Sequence, residues 1–161
     1  MARRVVPSFA ILAALLVAAA PVWAEDRHAG YYYPEPAMQE VYHARAREPL
    51  PQADRAMRIA FVTAITNQAM SRPFAPTAAI FAKGDDAEKL IIVALEDGRI
   101  DTLYRARAIF ANMTAASRVL PLFQDLGVVE DYTFFDLARL LGFVQITISD
   151  GRGFAHQVLL E

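Results

Sequence analysis

The 161-residue chain contains no cysteine, only two lysines (Lys83 and Lys89), four serines and three histidines. Each shortage removes a class of chemistry. Without cysteine there is no disulfide, no lipid-modified N-terminal cysteine and no thiol nucleophile, so packing alone must hold the fold together, even in an oxidising compartment. None of Ser8, Ser71, Ser117 and Ser149 sits in a Gly-x-Ser-x-Gly elbow. His28, His43 and His156 show neither HxxxH nor HExxH spacing, so no metal site is expected. No glycine-rich phosphate loop is present, and no cofactor is expected. Sixteen basic residues against eighteen acidic ones, with no basic block, exclude a nucleic-acid binder, because Lys and Arg contacts to the phosphate backbone supply most of that affinity.

The first residues, MARRVVPSFAILAALLVAAAPVWA, carry Arg3 and Arg4, an apolar run from Val5 to Ala20, and then Pro21-Val22-Trp23-Ala24. Compact side chains at Val22 and Ala24 suit a signal peptidase, so residues 1–24 read as a secretory signal cleaved after Ala24. The run is shorter than the ~20 residues of a spanning helix, which argues against an uncleaved anchor and against stable membrane insertion after cleavage. The residues around Arg3-Arg4 do not fit the twin-arginine route. The expected location is the periplasm. Removal of the signal leaves fourteen basic and eighteen acidic residues, a formal charge of −4.

Residues 25–52, EDRHAGYYYPEPAMQEVYHARAREPLPQ, contain four prolines and no sustained apolar period, which predicts an extended arm with at most a helical turn over Met38–Arg47. Tyr31, Tyr32 and Tyr33, beside Pro34 and Pro36, form a candidate surface for a periplasmic protein partner or for the domain itself. As a separate arm it is expected to be dispensable for folding.

Residues 53–161 read as a single α+β domain. Asp54–Arg72 carries a cap at Asp54 and places Met57, Phe61, Ala64 and Gln68 on one helical face, although its β-branched RIAFVTAIT core leaves an edge strand as the alternative. Ala79–Ala82 and Leu90–Leu95 flank KGDDAEK as a hairpin. Asp101 is the expected cap of a long helix, DTLYRARAIFANMTAASRVL, followed by a short piece over Leu122–Leu126. A third helix, FFDLARLL, opens at Thr133 and stops at Gly142. Val144–Ile148 and Phe154–Leu160 form a second hairpin about DGRG. Joining the hairpins predicts a two-layer domain with an antiparallel sheet of about four strands and helices on one face.

Two acidic clusters bracket the first apolar strand run. Asp85, Asp86 and Glu88 lack the alternating carboxylates of a calcium loop and are flanked by Lys83 and Lys89, so they read as a solvated hairpin tip. Glu96-Asp97-Gly98-Arg99 with Asp101 reads as a turn and a helix cap. Arg99 and Arg105 form a candidate anion pocket at the start of the long helix, against a salt-bridged surface in which Asp101 pairs with Arg105 four residues on. DLARLLGF looks like half of a helix-turn-helix, but a strand pattern follows where a recognition helix would be. Phe154, His156 and Val158 share one strand face, which makes His156 a half-buried candidate bonded to Ser149 or Asp150.

The segments FAKGDDAEKLIIVALEDGRIDTLYRARA, TFFDLARLLGF and ITISDGRGFAHQV resemble a group of small, signal-bearing proteobacterial proteins of unassigned function. Some of these carry the name molybdopterin-guanine dinucleotide biosynthesis protein A. The nucleotidyltransferases of that name have a glycine-rich N-terminal nucleotide loop, and the signal segment stands in its place here. The resemblance therefore implies no functional residue and no catalytic activity. The residues favour a binding or accessory module without catalysis. The alternative is a small hydrolase or transferase using His156, Asp150 and helix arginines, which requires a cleft beside His156.

Overall fold

The computed structural model describes residues 34–127 and 130–161. Five strands and four helices follow in the order β1 (Met38–Tyr42), α1 (Arg55–Met70), β2 (Ala78–Lys83), β3 (Lys89–Ala94), α2 (Leu103–Arg118), α3 (Pro121–Gln124), α4 (Phe134–Leu140), β4 (Gln145–Ser149) and β5 (Ala155–Leu160). The fold class is α+β. The sheet has five strands in the order β1-β5-β4-β3-β2, not four. Both hairpins form as antiparallel pairs, but β3 pairs parallel to β4 and β1 pairs parallel to β5. The sheet is therefore mixed. The chain between β3 and β4 passes through all of α2–α4, and such a helical crossover returns it to the sheet in its original direction.

The extra strand comes from the segment read as an arm. Met38–Tyr42 pairs with β5, Met38 opposite His156 and Tyr42 opposite Leu160, where a helical turn was expected. Further along, Leu50 N–H donates to the Leu140 carbonyl at 2.8 Å, and Ala46 is buried. Tyr31, Tyr32, Tyr33 and the cleavage position Ala24 lie outside the described residues.

Alternation along the strands sorts the sheet into two faces. One face presents Ile80, Leu90, Ile92, Ile146, Ile148, Val158 and Leu160 to the helices. The helices add Phe61 and Ile65 of α1, Ala106 and Phe110 of α2, Phe123 of α3, and Phe134, Leu137 and Ala138 of α4. Phe61 stands at the centre of this layer, with ring centroids 5.8 Å from Phe123, 6.1 Å from Phe143 and 6.3 Å from Phe134. That burial decides the ambiguous RIAFVTAIT stretch in favour of helix, helped by Asp54 Oδ1 accepting from Met57 N–H at 2.8 Å. On the other face, Ile91 and Thr147 are also buried, outside the helix-side cluster, in a row running Phe81–Ile91–Thr147–Gln157–Gln39.

The caps fix the helix boundaries. Thr102, not Asp101, caps α2, its hydroxyl accepting from Arg105 N–H at 3.3 Å. Thr133 and Asp136 form a reciprocal capping box at α4. The same helix ends in a Schellman motif, with Gly142 N–H donating to Arg139 and Phe143 N–H to Ala138, and Gly142 takes the required positive φ of 79°.

Candidate functional site

Among the described residues, no hydrogen bond or ion pair joins the candidates Arg99, Arg105 and His156. Arg99 pairs with Glu96, its Nε 2.7 Å from Oε2. Arg105 pairs with Asp101 at 2.8 Å and also donates to the Gly98 carbonyl. Both arginines are thus spent on neighbouring turn acids, and neither forms a hydrogen bond or ion pair with His156. At the other acidic cluster, Glu88 Oε2 accepts from Asp86 N–H at 3.2 Å, and the Asp86 carbonyl receives Arg58 Nε at 2.8 Å. Among the described residues no group of three or more His, Asp or Glu side chains is arranged to hold a metal ion.

His156 is only 2% exposed. It lies on the helix side of β5, with Ile148 opposite it on β4 and Met38 on β1. Its expected partners are engaged elsewhere. Ser149 Oγ donates to the Phe154 carbonyl at 2.7 Å, and Asp150 Oδ1 accepts from the N–H groups of Arg152, Gly153 and Phe154 at 2.8–3.0 Å. The partner His156 does meet is Glu40 of β1, whose Oε1 lies 3.1 Å from Nε2. The approach is off the hydrogen-bonding direction, so both ring nitrogens lack a hydrogen-bond partner among the described residues. Glu40 Oε2 in turn lies 3.5 Å from Arg107 Nη2 of α2. Glu40 was invisible as a partner because the sequence places it in the supposed arm.

The hollows of the surface lie elsewhere. A cleft of about 400 Å³ opens between the C-terminal half of α1, the 71–77 loop and the middle of α2. Its apolar wall is formed by Ile65, Phe74, Ile109 and Met113. The loop reads SRPFAPT, and the two prolines stiffen it by fixing φ and removing two N–H donors. This holds Phe74 in the open, 82% exposed, at the edge of the cleft. A smaller hollow of about 160 Å³ continues from the same Ile65, Ala69, Pro76 and Met113 toward Met70 and Leu95 of the β3 end, both of them exposed. Four polar side chains complete the lining, Gln68, Arg72, Thr77 and Asn112, and there is no carboxylate. Arg72 follows the α1 C-terminus, where a cation is favoured by the unpaired carbonyls of the last turn. Within the described residues its guanidinium makes no ion pair or hydrogen bond.

The remaining hollows are less suited. One of about 420 Å³ runs along α1 and β2 past Phe81 and Lys83, both of which have partners. The one at Arg118, about 530 Å³, is lined by Arg118, Gln124, Gly127 and Glu130 with no apolar side chain, the one at Asp150 carries two carboxylates, and His156 lines none of these five. The one local mark of the cleft in the sequence is an arginine and a phenylalanine beside two prolines, Arg72-Pro73-Phe74 and Pro76. No helix among the described residues is long and apolar enough to cross a membrane. No family model matches the chain, and no curated protein or solved structure matches it either.

Proposed function

We propose that the protein is a periplasmic, non-catalytic binding module whose ligand occupies the cleft between α1, the 71–77 loop and α2. The observation that carries this reading is a combination that the other hollows described above lack: an apolar wall, a small set of convergent polar groups, and a stiff loop holding an exposed aromatic at the rim. Small-molecule sites have this composition, and a volume near 400 Å³ falls within their usual range of about 300–1,000 Å³. The state of His156 supports the absence of catalysis. A general base needs reach to a proton on a substrate, whereas this imidazole is enclosed between strands with Glu40 as its neighbour. Export follows from residues 1–24, whose charge, apolar length and small residues before Glu25 suit a cleaved signal.

Native mass spectrometry of the protein recovered from the cells that produce it tests the reading. The expected result is a chain beginning at Glu25 with a reproducible small adduct. The adduct should vanish in Ala115→Trp, which fills the cleft from an exposed position on α2. A chain without an adduct, or an adduct retained by the filled variant, would count against the cleft as the binding site.

A further inference from the structure

We infer that the cleft is built for a small amphipathic carboxylate, with the acid group at Arg72 and an aliphatic body against Ile65, Phe74 and Met113. The inference rests on the cleft being the binding site and adds the chemical class of its ligand. Three observations lead to it.

The first is charge. The lining contains one cation and no acid, and that cation has no partner among the described residues. By contrast, Arg99, Arg105, Arg107 and Arg152 each lie within 3.5 Å of a surface carboxylate. An arginine left unpaired at the mouth of an apolar hollow presents a planar fork of N–H donors, a shape that matches a carboxylate in two parallel bonds. The second is the polar pair facing it from the two helices. Gln68 turns its carbonyl oxygen inward, where no donor reaches it, and leaves its NH₂ as the accessible end. Because that oxygen has no bond to lose, the amide can rotate and offer either a donor or an acceptor. Asn112 of α2 adds a second amide, whose side chain has no hydrogen-bond partner among the described residues. The third is the wall. Ile65 is buried, Met113 half-buried and Phe74 open, so a tail entering from the rim meets increasingly enclosed apolar surface. Burying each CH₂ of such a tail favours binding, while the head stays at the solvent edge beside Arg72. A cation at the same rim would meet the like charge of Arg72 and no carboxylate to offset it.

The test uses the purified protein and three probes with one tail: hexanoate, hexanamide and hexylammonium. Binding is followed by ¹H–¹⁵N correlation spectra, in which the side-chain NH₂ signals of Gln68 and Asn112 report the cleft directly. Hexanoate is expected to shift both signals saturably below about 10 mM and to bind roughly three- to tenfold more tightly than hexanamide, with hexylammonium weakest. The margin over hexanamide should shrink as salt is raised, since a partly exposed ion pair is screened. In Arg72→Gln, an exposed position, hexanoate should fall to the affinity of hexanamide while hexanamide is unchanged. Arg55→Gln, at the far end of α1, should leave the order as it was. Equal binding of hexanoate and hexanamide in the unaltered protein, or a preference for hexylammonium, overturns the carboxylate assignment and leaves the cleft as a site. Failure of all three probes to move the Gln68 and Asn112 signals overturns both.

Discussion

Asp136 is the residue whose replacement should most clearly expose how the fold is tied together. It is fully buried, and no cation among the described residues forms an ion pair with it. Its carboxylate is instead surrounded by donors. Oδ1 accepts Arg45 N–H at 2.7 Å, and Oδ2 accepts Thr133 N–H and Thr133 Oγ1 at 2.8 Å each and Tyr42 Oη at 3.3 Å. Two of these donors cap α4, and two come from the end of β1 and the residues after it. Asp136→Asn keeps the shape and exchanges one acceptor oxygen for an NH₂. The better orientation leaves oxygen toward Thr133 and turns NH₂ toward Arg45 N–H, where two donors face each other. Two buried donors then lack acceptors, at about 1–3 kcal/mol each. Relief from holding a charge away from water offsets part of this, so the net loss should be about 2–4 kcal/mol. Urea unfolding followed by far-UV circular dichroism measures it directly, since a domain stable by about 5–15 kcal/mol stays folded in water after such a loss. Tyr42→Phe removes only the longest of these bonds and a 3.0 Å contact to Thr133 Oγ1, and should cost about 0.5–1.5 kcal/mol. A loss below about 1 kcal/mol for Asp136→Asn would refute the view that this carboxylate joins the β1 segment to α4.

Two other positions give independent checks. Gly142 has a positive φ of 79°, and a Cβ there would lie 2.7 Å from Arg58 Nη1, the atom that donates to the Leu141 carbonyl at 3.1 Å. Gly142→Ala should therefore cost about 2–4 kcal/mol in chemical denaturation. Gly127→Ala, at φ 67° with nothing within 4 Å of the new Cβ, should cost only about 1–2 kcal/mol, and equal losses would show that Arg58 yields freely. At the β4–β5 turn, burial alone would raise the pKa of Asp150, but the N–H groups of Phe154, Arg152, Gly153 and its own backbone outweigh this and hold it below the ordinary carboxylate value. A carboxyl lowered in the folded state contributes stability that is present above its unfolded pKa and is lost as pH falls through the folded one. Urea midpoints measured on acidification should decline in that acid window for the unaltered protein and decline less for Asp150→Asn. Parallel declines would deny the turn that role.

The elements that were legible in the sequence are those whose signals are local. The two hairpins announce themselves through short apolar runs around glycine turns, and α2 and α4 through their caps and periodic faces. Gly84 and Gly142 both take the positive φ their turns require. Less local features were displaced by small margins. Thr102 takes the α2 cap from Asp101, because its hydroxyl meets Arg105 N–H while the Asp101 carboxylate turns to the Arg105 side chain. The ambiguity of α1 was a real conflict between β-branched propensity and helical burial, and the aromatic cluster around Phe61 settles it. The cleft as a whole was illegible because its polar residues come from two helices and a loop, and only the packing of α1 beside α2 brings Gln68, Arg72, Thr77 and Asn112 to one opening.

The parallel joins were hidden for a deeper reason. Met38-Gln39-Glu40-Val41-Tyr42 has little apolar alternation, follows two prolines and precedes two more, and nothing in it demands a strand. Its conformation is imposed from the far end of the chain. The backbone of β5 offers it a ladder, Glu161 N–H donates to the Tyr42 carbonyl at 3.0 Å, and Ala44 N–H donates to the Glu161 carbonyl at 2.7 Å. The side chains repeat the pattern, with Glu40 reaching His156 and Tyr42 reaching Asp136 across 94 residues. A polar, proline-flanked strand of this kind contributes little burial and requires a long loop closure, so its pairing depends on the partners that the hairpin and α4 present. β1 is an edge of the sheet, where short length, neighbouring prolines and the charge of Glu40 discourage pairing with another chain. Removing the chain through Arg47 would therefore take away a strand and two of the donors to Asp136. Deletion through Arg47 is expected to lower the urea midpoint of the domain, because the residues that tie β1 into the sheet, those of β5 and Asp136, lie outside the segment.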